Sequence, residues 1–159
     1  MHRAGEDMAK KLTLEKIQGY TGKEIGKSDW MEITQERINA FADATDDRQW
    51  IHVNPLKAKF GPFRKTIAHG FLILSLLVHL SSQFELLQEG VKMLANVGLN
   101  RVRFINPVPV GSKIRNRCIL KKATEKGEGK IVLTTENTVE IQGAEKPALV
   151  AEVLALIYV

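Results

Sequence analysis

The stretch TIAHGFLILSLLV, residues 66–78, contains the longest apolar run of the chain, from Phe71 to Val78 with Ser75 inside it. This run is too short for a transmembrane helix, which needs about 20 apolar residues. A helix that is apolar on all its faces is instead buried in a protein core. We therefore predict a central helix that begins at Gly70, is buried on every side, and is wrapped by a sheet.

The chain downstream of this helix has the pattern of long β-strands. Strand-like segments cover residues 98–105, 113–124, 131–141 and 148–159, and residues 125–130 form a hairpin loop between two of them. Several strands after one buried helix indicate an α+β fold, with an antiparallel sheet curled around a long central helix. The segment 83–96 has no clear pattern and is a candidate substrate loop.

The chain upstream of the central helix contains two helix-start signals. Thr34 follows a short strand-like segment and is a good N-cap for an amphipathic helix over residues 35–44. Ile33 and Ile38 have the spacing of a hydrophobic staple across that start. Asn54-Pro55 predicts a second, short helix, which Gly61 ends. Residues 1–12 are polar, so we expect a flexible lead-in there and a single domain over residues 13–159.

The composition limits the classes of function. The 159 residues are 44% hydrophobic and 26% charged, which is typical of one soluble globular domain. The net charge is +5, but the basic residues are scattered, so we expect no nucleic-acid partner. Cys118 is the single cysteine, which excludes an internal disulfide. No signal-peptide pattern opens the chain, and we expect a cytoplasmic protein with no membrane partner.

The densest polar cluster is DDRQWIHVNP, residues 46–55, between the two predicted helices. It places Asp47 and His52 five residues apart in a turn. A carboxylate and an imidazole that converge can hold a water molecule and exchange protons with it. A simpler interpretation is a polar turn with an exposed histidine, and the spacing alone favours that interpretation.

A second candidate site is the pair His69-Gly70 at the start of the central helix. Glycine there leaves backbone N–H groups unshielded, and such groups can polarise a carbonyl oxygen that gains charge during a reaction. The alternative is structural: Gly70 allows close packing, and His69 is a capping residue. The residues themselves do not decide between these alternatives.

Together the clusters resemble the MaoC-like, (R)-specific enoyl-CoA hydratases, and in particular the branch with nodulation protein N-like members. The matching pieces are FADAT (41–45), DRQWIH (47–52), TIAHGF (66–71), GLNRVRF (98–104) and PVPVG (107–111). The resemblance implies a single hot-dog fold, usually as a homodimer, with Asp47 and His52 as the catalytic pair. It also implies a backbone donor at Gly70 and a positioning serine at Ser75. Asp46 is one residue out of register with the family pattern.

The resemblance further implies an acyl-CoA thioester as the substrate, without a metal or another cofactor. Arg101 and Arg103 lie on the matched strand and share one face, so they are candidates for binding the CoA phosphates. An exposed polar strand face explains them equally well. Three other functions remain open: a 3-hydroxyacyl-[acyl-carrier-protein] dehydratase, a thioesterase, and a non-catalytic acyl-CoA-binding protein.

Overall fold

Four long antiparallel strands form most of the sheet in the computed structural model, which describes residues 12–88 and 90–159. They are β3 (Met93–Phe104), β4 (Lys113–Glu125), β5 (Lys130–Ile141) and β6 (Leu149–Tyr158). Two short strands, β1 (Glu24–Lys27) and β2 (Met31–Glu32), both pair with β4. The order β1-β4-β5-β6-β3 makes β3 an edge strand.

Within the described residues, the sheet is accompanied by seven helices: α1 (Leu14–Gln18), α2 (Gln35–Thr45), α3 (Trp50–Val53), α4 (Pro55–Ala58), α5 (Gly70–Ser75), α6 (Leu77–Ser81) and α7 (Glu85–Gln88). Both predicted helix starts are confirmed. The Thr34 side chain accepts a hydrogen bond from the Arg37 N–H, and the Asn54 side chain accepts one from the Lys57 N–H.

The central helix consists of α5 and α6, which meet at Leu76. The predicted α+β architecture is confirmed, because the inner face of the sheet packs against this helix. The prediction of burial on every side is wrong, since Phe71 is 68% exposed and Val78 is 56% exposed. The sheet of one chain covers only one side of the helix, so the apolar run also forms part of the surface. None of the helices in the described residues has the length and apolar character that a membrane crossing requires.

The buried residues form two apolar clusters at opposite ends of the sheet. The first contains Ile38, Leu72, Leu77 and Ile114, and it lies under the central helix. The second contains Ile17, Phe84, Leu120 and Ile131, among others. Strand alternation explains the inward faces, because every second residue is buried in β5 and, from Ile114 to Leu120, in β4.

Part of the second cluster comes from segments that the sequence did not assign to helices or strands. Leu12 is fully buried there, so it belongs to the packed domain and not to the predicted lead-in. Residues 1–11 of that lead-in lie outside the described residues. The segment 83–96 contains α7 and the beginning of β3, and so it is not one continuous loop.

Candidate active site

The turn that follows α2 separates two neighbouring carboxylates. Asp46 ends the helix in the left-handed region at φ 59°, a conformation that aspartate tolerates better than most residues. Its carboxylate forms an ion pair of 2.6 Å with the Arg48 guanidinium and is largely exposed. Asp47, the next residue, is half-buried and its ligating oxygen faces two histidines. The left-handed residue therefore turns the chain so that Asp47, and not Asp46, reaches the interior.

His52 is 6% exposed, so the interpretation as an exposed turn histidine is wrong. Its Nδ1 lies 2.7 Å from the Ile67 carbonyl oxygen. A carbonyl oxygen can only accept, so Nδ1 carries the proton and donates it. In the neutral ring, Nε2 then has a free lone pair. This hydrogen bond fixes both the orientation and the tautomer of the imidazole.

His69 is 3% exposed and lies directly against His52. The two imidazole rings stack with their centroids 3.8 Å apart and an interplanar angle of 23°. The His69 Nε2 donates to the Asp47 carbonyl oxygen at 2.9 Å. The interpretation of His69 as a side-chain cap is wrong, because its side chain makes no capping hydrogen bond to the helix. The His69 side chain instead connects the start of the central helix to the backbone at Asp47 through this hydrogen bond.

Three side chains that each have a hydrogen-bond acceptor converge in this cluster. The ligating atoms of Asp47, His52 and His69 all lie within 4.8 Å of one another. The His69 Nδ1 is buried and has no partner among the described residues. A water molecule can donate to two such acceptors at once. The distances alone would also allow a metal ion. However, each imidazole lone pair lies in the plane of its ring, and the rings of His52 and His69 are stacked and nearly parallel. The two lone pairs therefore point side by side and do not meet at one ion.

The surroundings of His52 favour its neutral form. Burial lowers the pKa of His52 below its ordinary value of 6.5, and the positive charge that His69 can carry lowers it further. The hydrogen bond to Ile67 and the charge of Asp47 act in the opposite direction. The net direction is downward, so Nε2 is available as a proton acceptor at neutral pH.

Gly70 lies at the first position of α5, beside His69. A Cβ added to it would lie 3.0 Å from the Phe104 ring, so close packing of this glycine is real. In the described ranges no acceptor receives the Gly70 N–H, so this group is also available as a donor. The two interpretations of Gly70 are therefore compatible.

The other predicted site residues are Ser75 on the central helix and Arg101 and Arg103 on β3. The Ser75 hydroxyl donates to the Phe71 carbonyl at 2.7 Å, the ordinary bond of a helix serine. Arg101 and Arg103 are exposed on β3 and share one face, as expected. Their neighbour Val102 packs against the first cluster, so both arginines point to the outer face of the sheet.

A cavity of about 620 Å³ lies between the central helix and strands β3 to β6. Its wall is mainly apolar and includes Leu74, Val78, Leu99 and Val153. Ser75 also lines it, so the cavity lies along the helix that begins at the histidine cluster. A mainly apolar cavity of this size suits an acyl chain.

The comparisons with known proteins agree with this geometry. Residues 16–142 match the sequence model of the family described as MaoC like domain. The 3-hydroxyacyl-thioester dehydratase Z of Mycobacterium tuberculosis is 52% identical over 131 residues, covering 82% of this chain and 86% of that protein. Nodulation protein N of Rhizobium leguminosarum bv. viciae is 44% identical over 149 residues, covering 92% and 91%.

Solved structures give the same picture of the fold. A monoamine oxidase regulatory protein from Archaeoglobus fulgidus superposes with a TM-score of 0.77 at 28% identity, over 93% of this chain and 95% of that chain. The (R)-hydratase of A. caviae involved in PHA biosynthesis gives 0.70 at 24% identity, over 85% and 94%. These similarities confirm the hot-dog fold that the sequence motifs imply.

Proposed function

Because the chain belongs to the family of MaoC-like domains, we propose that it catalyses the reversible, (R)-specific hydration of trans-2-enoyl-CoA to (3R)-3-hydroxyacyl-CoA. The observation that supports this most directly is the cluster of the half-buried Asp47 with the buried His52 and His69, whose ligating atoms lie within 4.8 Å of one another. The names of two similar proteins, a 3-hydroxyacyl-thioester dehydratase and an (R)-hydratase, point to the same reaction in its two directions.

In the proposed mechanism, a water molecule donates one hydrogen bond to the Asp47 carboxylate and one to the His52 Nε2. Its oxygen attacks C3 while the double-bond electrons move towards the thioester carbonyl, whose oxygen gains enolate charge. The Gly70 N–H donates to that oxygen. One proton of the water passes to the Asp47–His52 pair, and the pair returns a proton to C2 on the same face. Both groups bind the same water in this mechanism, so we assign these transfers to the pair as a unit.

The acyl chain occupies the cavity of about 620 Å³ in this proposal. Ser75 lies on the helix between the histidine cluster and the cavity, where its oxygen keeps a lone pair for the substrate or for the water. Arg101 and Arg103 would reach the CoA phosphates where the ligand crosses the edge strand β3. The substrate is the only ligand of the proposed reaction, which needs no cofactor or metal ion.

The edge of β3 also supports the proposal of a homodimer. This strand pairs on one side with β6, and apolar side chains are exposed along it: Met93, Leu94, Val97, Leu99 and Phe104. An unpaired edge with exposed apolar residues is normally covered by a partner. Pairing of two β3 strands would extend the sheet across two chains.

The first experiment is to mix the purified protein with crotonyl-CoA and follow the loss of absorbance of the conjugated thioester. We expect rapid loss, and oxidation of the product by a dehydrogenase specific for the (R) isomer and not by one specific for the (S) isomer. An (S) product, or no turnover of short or long enoyl thioesters, would contradict the proposal.

A dehydratase acting on acyl-carrier-protein thioesters is the second candidate, because the reacting atoms are the same. The name of the 52% identical relative specifies a thioester and not its carrier. Rates with the same acyl group on CoA and on a carrier protein separate the two functions. A higher kcat/KM for CoA supports the first proposal, and a higher value for the carrier protein supports the second.

The cavity does not contain a reactive cysteine of the kind that a cysteine-dependent thioesterase needs. Cys118 lines it, but burial raises the pKa of Cys118 to about 12. Its thiol therefore stays protonated and is a poor nucleophile.

The pH dependence of kcat/KM tests the state of His52. The pKa of this group is lowered, so the active neutral form persists as the pH falls through the ordinary value of 6.5 and is lost only below it. We expect the acid limb of a kcat/KM profile to have its midpoint below 6.5. A midpoint above that value would show that His52 does not act in its neutral form.

Replacing Arg101 with Ala tests the proposed phosphate contact. We expect a higher KM for CoA substrates and an unchanged kcat, because the phosphates are bound alike in the ground state and the transition state. Lys122→Ala on β4 is the matched control for the loss of one exposed charge, and it should leave the KM unchanged. A lower kcat with the original KM would refute the assignment.

A further inference from the structure

A belt of polar side chains crosses the inner face of the sheet, between the two apolar clusters. Asn116 of β4 and Asn137 of β5 are 0% and 2% exposed, and Thr135 lies next to them. The Asn116 Nδ2 donates to the Asn137 Oδ1 at 2.9 Å, and the Asn137 Nδ2 donates to the Thr135 Oγ1 at 2.9 Å. Ser81 of the central helix completes the belt, because its Oγ accepts from Asn116 at 3.3 Å.

The belt has hydrogen-bonding capacity that the protein does not use. The buried Asn116 Oδ1 has no partner among the described residues. The Thr135 hydroxyl donates a long bond of 3.5 Å to the Val153 carbonyl, and it is also a hydrogen-bond partner of the Cys118 thiol. The Ser81 hydroxyl accepts a bond, but within the described ranges it has no acceptor for its own proton. Buried polar groups without partners destabilise a fold, so a purely structural role would favour apolar residues here.

The belt faces the cavity that we assign to the acyl chain. Ser81, Thr135 and Asn137 all line it, among mainly apolar neighbours. Ser81 follows Ser75 by six residues on the central helix, which corresponds to about 9 Å along the axis. The belt therefore lies well beyond the carbons that react.

We propose that this cavity selects enoyl thioesters whose acyl chain has an uncharged oxygen group, a hydroxyl or a ketone, at the level of Ser81, Thr135 and Asn137. This inference rests on the proposed hydratase function. A ligand oxygen accepts from the Ser81 hydroxyl, and a ligand hydroxyl can also donate to the second lone pair of the Asn137 Oδ1.

The charges that line the cavity disfavour an ionised acyl-chain group at the belt. Lys92 is the one cation among the described residues that line the cavity, and its Nζ donates to the exposed Val159 carbonyl. A carboxylate at the belt would lose its water without gaining a counter-ion, which is strongly unfavourable.

The test compares trans-2-decenoyl-CoA with its derivative that has a hydroxyl at the terminal carbon. One added neutral hydrogen bond should raise kcat/KM of the unmodified protein by roughly threefold to tenfold. Ser81→Ala and Thr135→Val should remove most of this preference. Ser82→Ala is the matched control, because Ser82 also lines the cavity but donates to the His79 carbonyl. Crotonyl-CoA is too short to reach the belt, so the ratio of the decenoyl-CoA rate to the crotonyl-CoA rate in each protein separates an effect at the belt from a general loss of activity.

Two results would overturn the inference: no preference for the hydroxylated chain in the unmodified protein, or the same preference in Ser81→Ala and Thr135→Val. If no enoyl-CoA reacts at all, the proposed function fails instead. Calorimetric binding of decanoyl-CoA and its terminal hydroxy derivative then still tests the cavity, since binding needs no turnover. Equal affinities would refute the selection, and tighter binding of the hydroxy derivative would support it.

Discussion

Replacing Asp47 with Asn, or His52 with Gln, lowers kcat for crotonyl-CoA hydration by about 10²–10⁴-fold, the range expected for loss of a general acid or base. Both changes keep the approximate size of the side chain and remove its ability to exchange a proton. The buried His52 and the half-buried Asp47 lie within one cluster. In the proposed mechanism they transfer protons as a pair, so we expect the loss of either side chain to abolish the function of the pair. Steady-state kinetics with each variant give the effect on kcat and on KM separately.

This experiment has two matched controls. Asp46→Asn removes the neighbouring carboxylate, which is exposed and paired with Arg48, and it should keep nearly full activity. His79→Gln removes an exposed histidine of the central helix and should also be silent. Thermal unfolding of all four variants shows whether each is folded. A folded Asp47→Asn variant with full activity would show that a different group catalyses the reaction.

Replacing Gly26 with Ala is expected to lower the free energy of unfolding by about 1–3 kcal/mol, as overpacking of a closed core does. A Cβ at this position would overlap the Phe84 ring, and Phe84 is only 2% exposed. The ring has no room to retreat, because it is part of the second cluster. Urea unfolding of the purified variant measures the change.

Gly98→Ala is the control for the effect of a glycine-to-alanine change in a strand. The nearest atom to its added Cβ is the Leu154 Cδ1 at 3.9 Å, so stability should change by less than about 0.5 kcal/mol. The double variant Gly26→Ala, Phe84→Leu separates the clash from other causes. If the clash is responsible, the two changes together cost less than the sum of their separate effects. Additive effects would contradict the packing explanation.

Local signals allowed the correct prediction of several elements. Thr34 and Asn54 cap the helices that their positions indicated, and the turn residues after Glu125 separate β4 from β5 as expected. Capping and turn formation depend on residues a few positions apart, so one sequence contains the necessary information. In contrast, α1, β1 and α7 are too short to show a periodic pattern. Their positions are determined by tertiary packing in the second cluster, around Phe84.

The candidate site was only partly accessible from the sequence. The spacing of Asp47 and His52 indicated a possible pair, and the family resemblance gave it a role. The stacking of His69 on His52 joins residues 17 positions apart in the sequence, and local patterns do not contain such contacts. The His-Gly pair at the helix start was the available signal. Likewise, the contact of Asn116 with Asn137 depends on the register of β4 and β5.

The polar belt separates two parts of the core that can unfold independently. It divides the interior, so that the cluster around Ile114 and the cluster around Phe84 are separate apolar units joined by continuous strands. Such units can unfold locally with different free energies. The end that contains α1 and α7 can loosen while the histidine cluster stays ordered. Such loosening would admit a long acyl chain beside α1 and α7 without disturbing the histidine cluster.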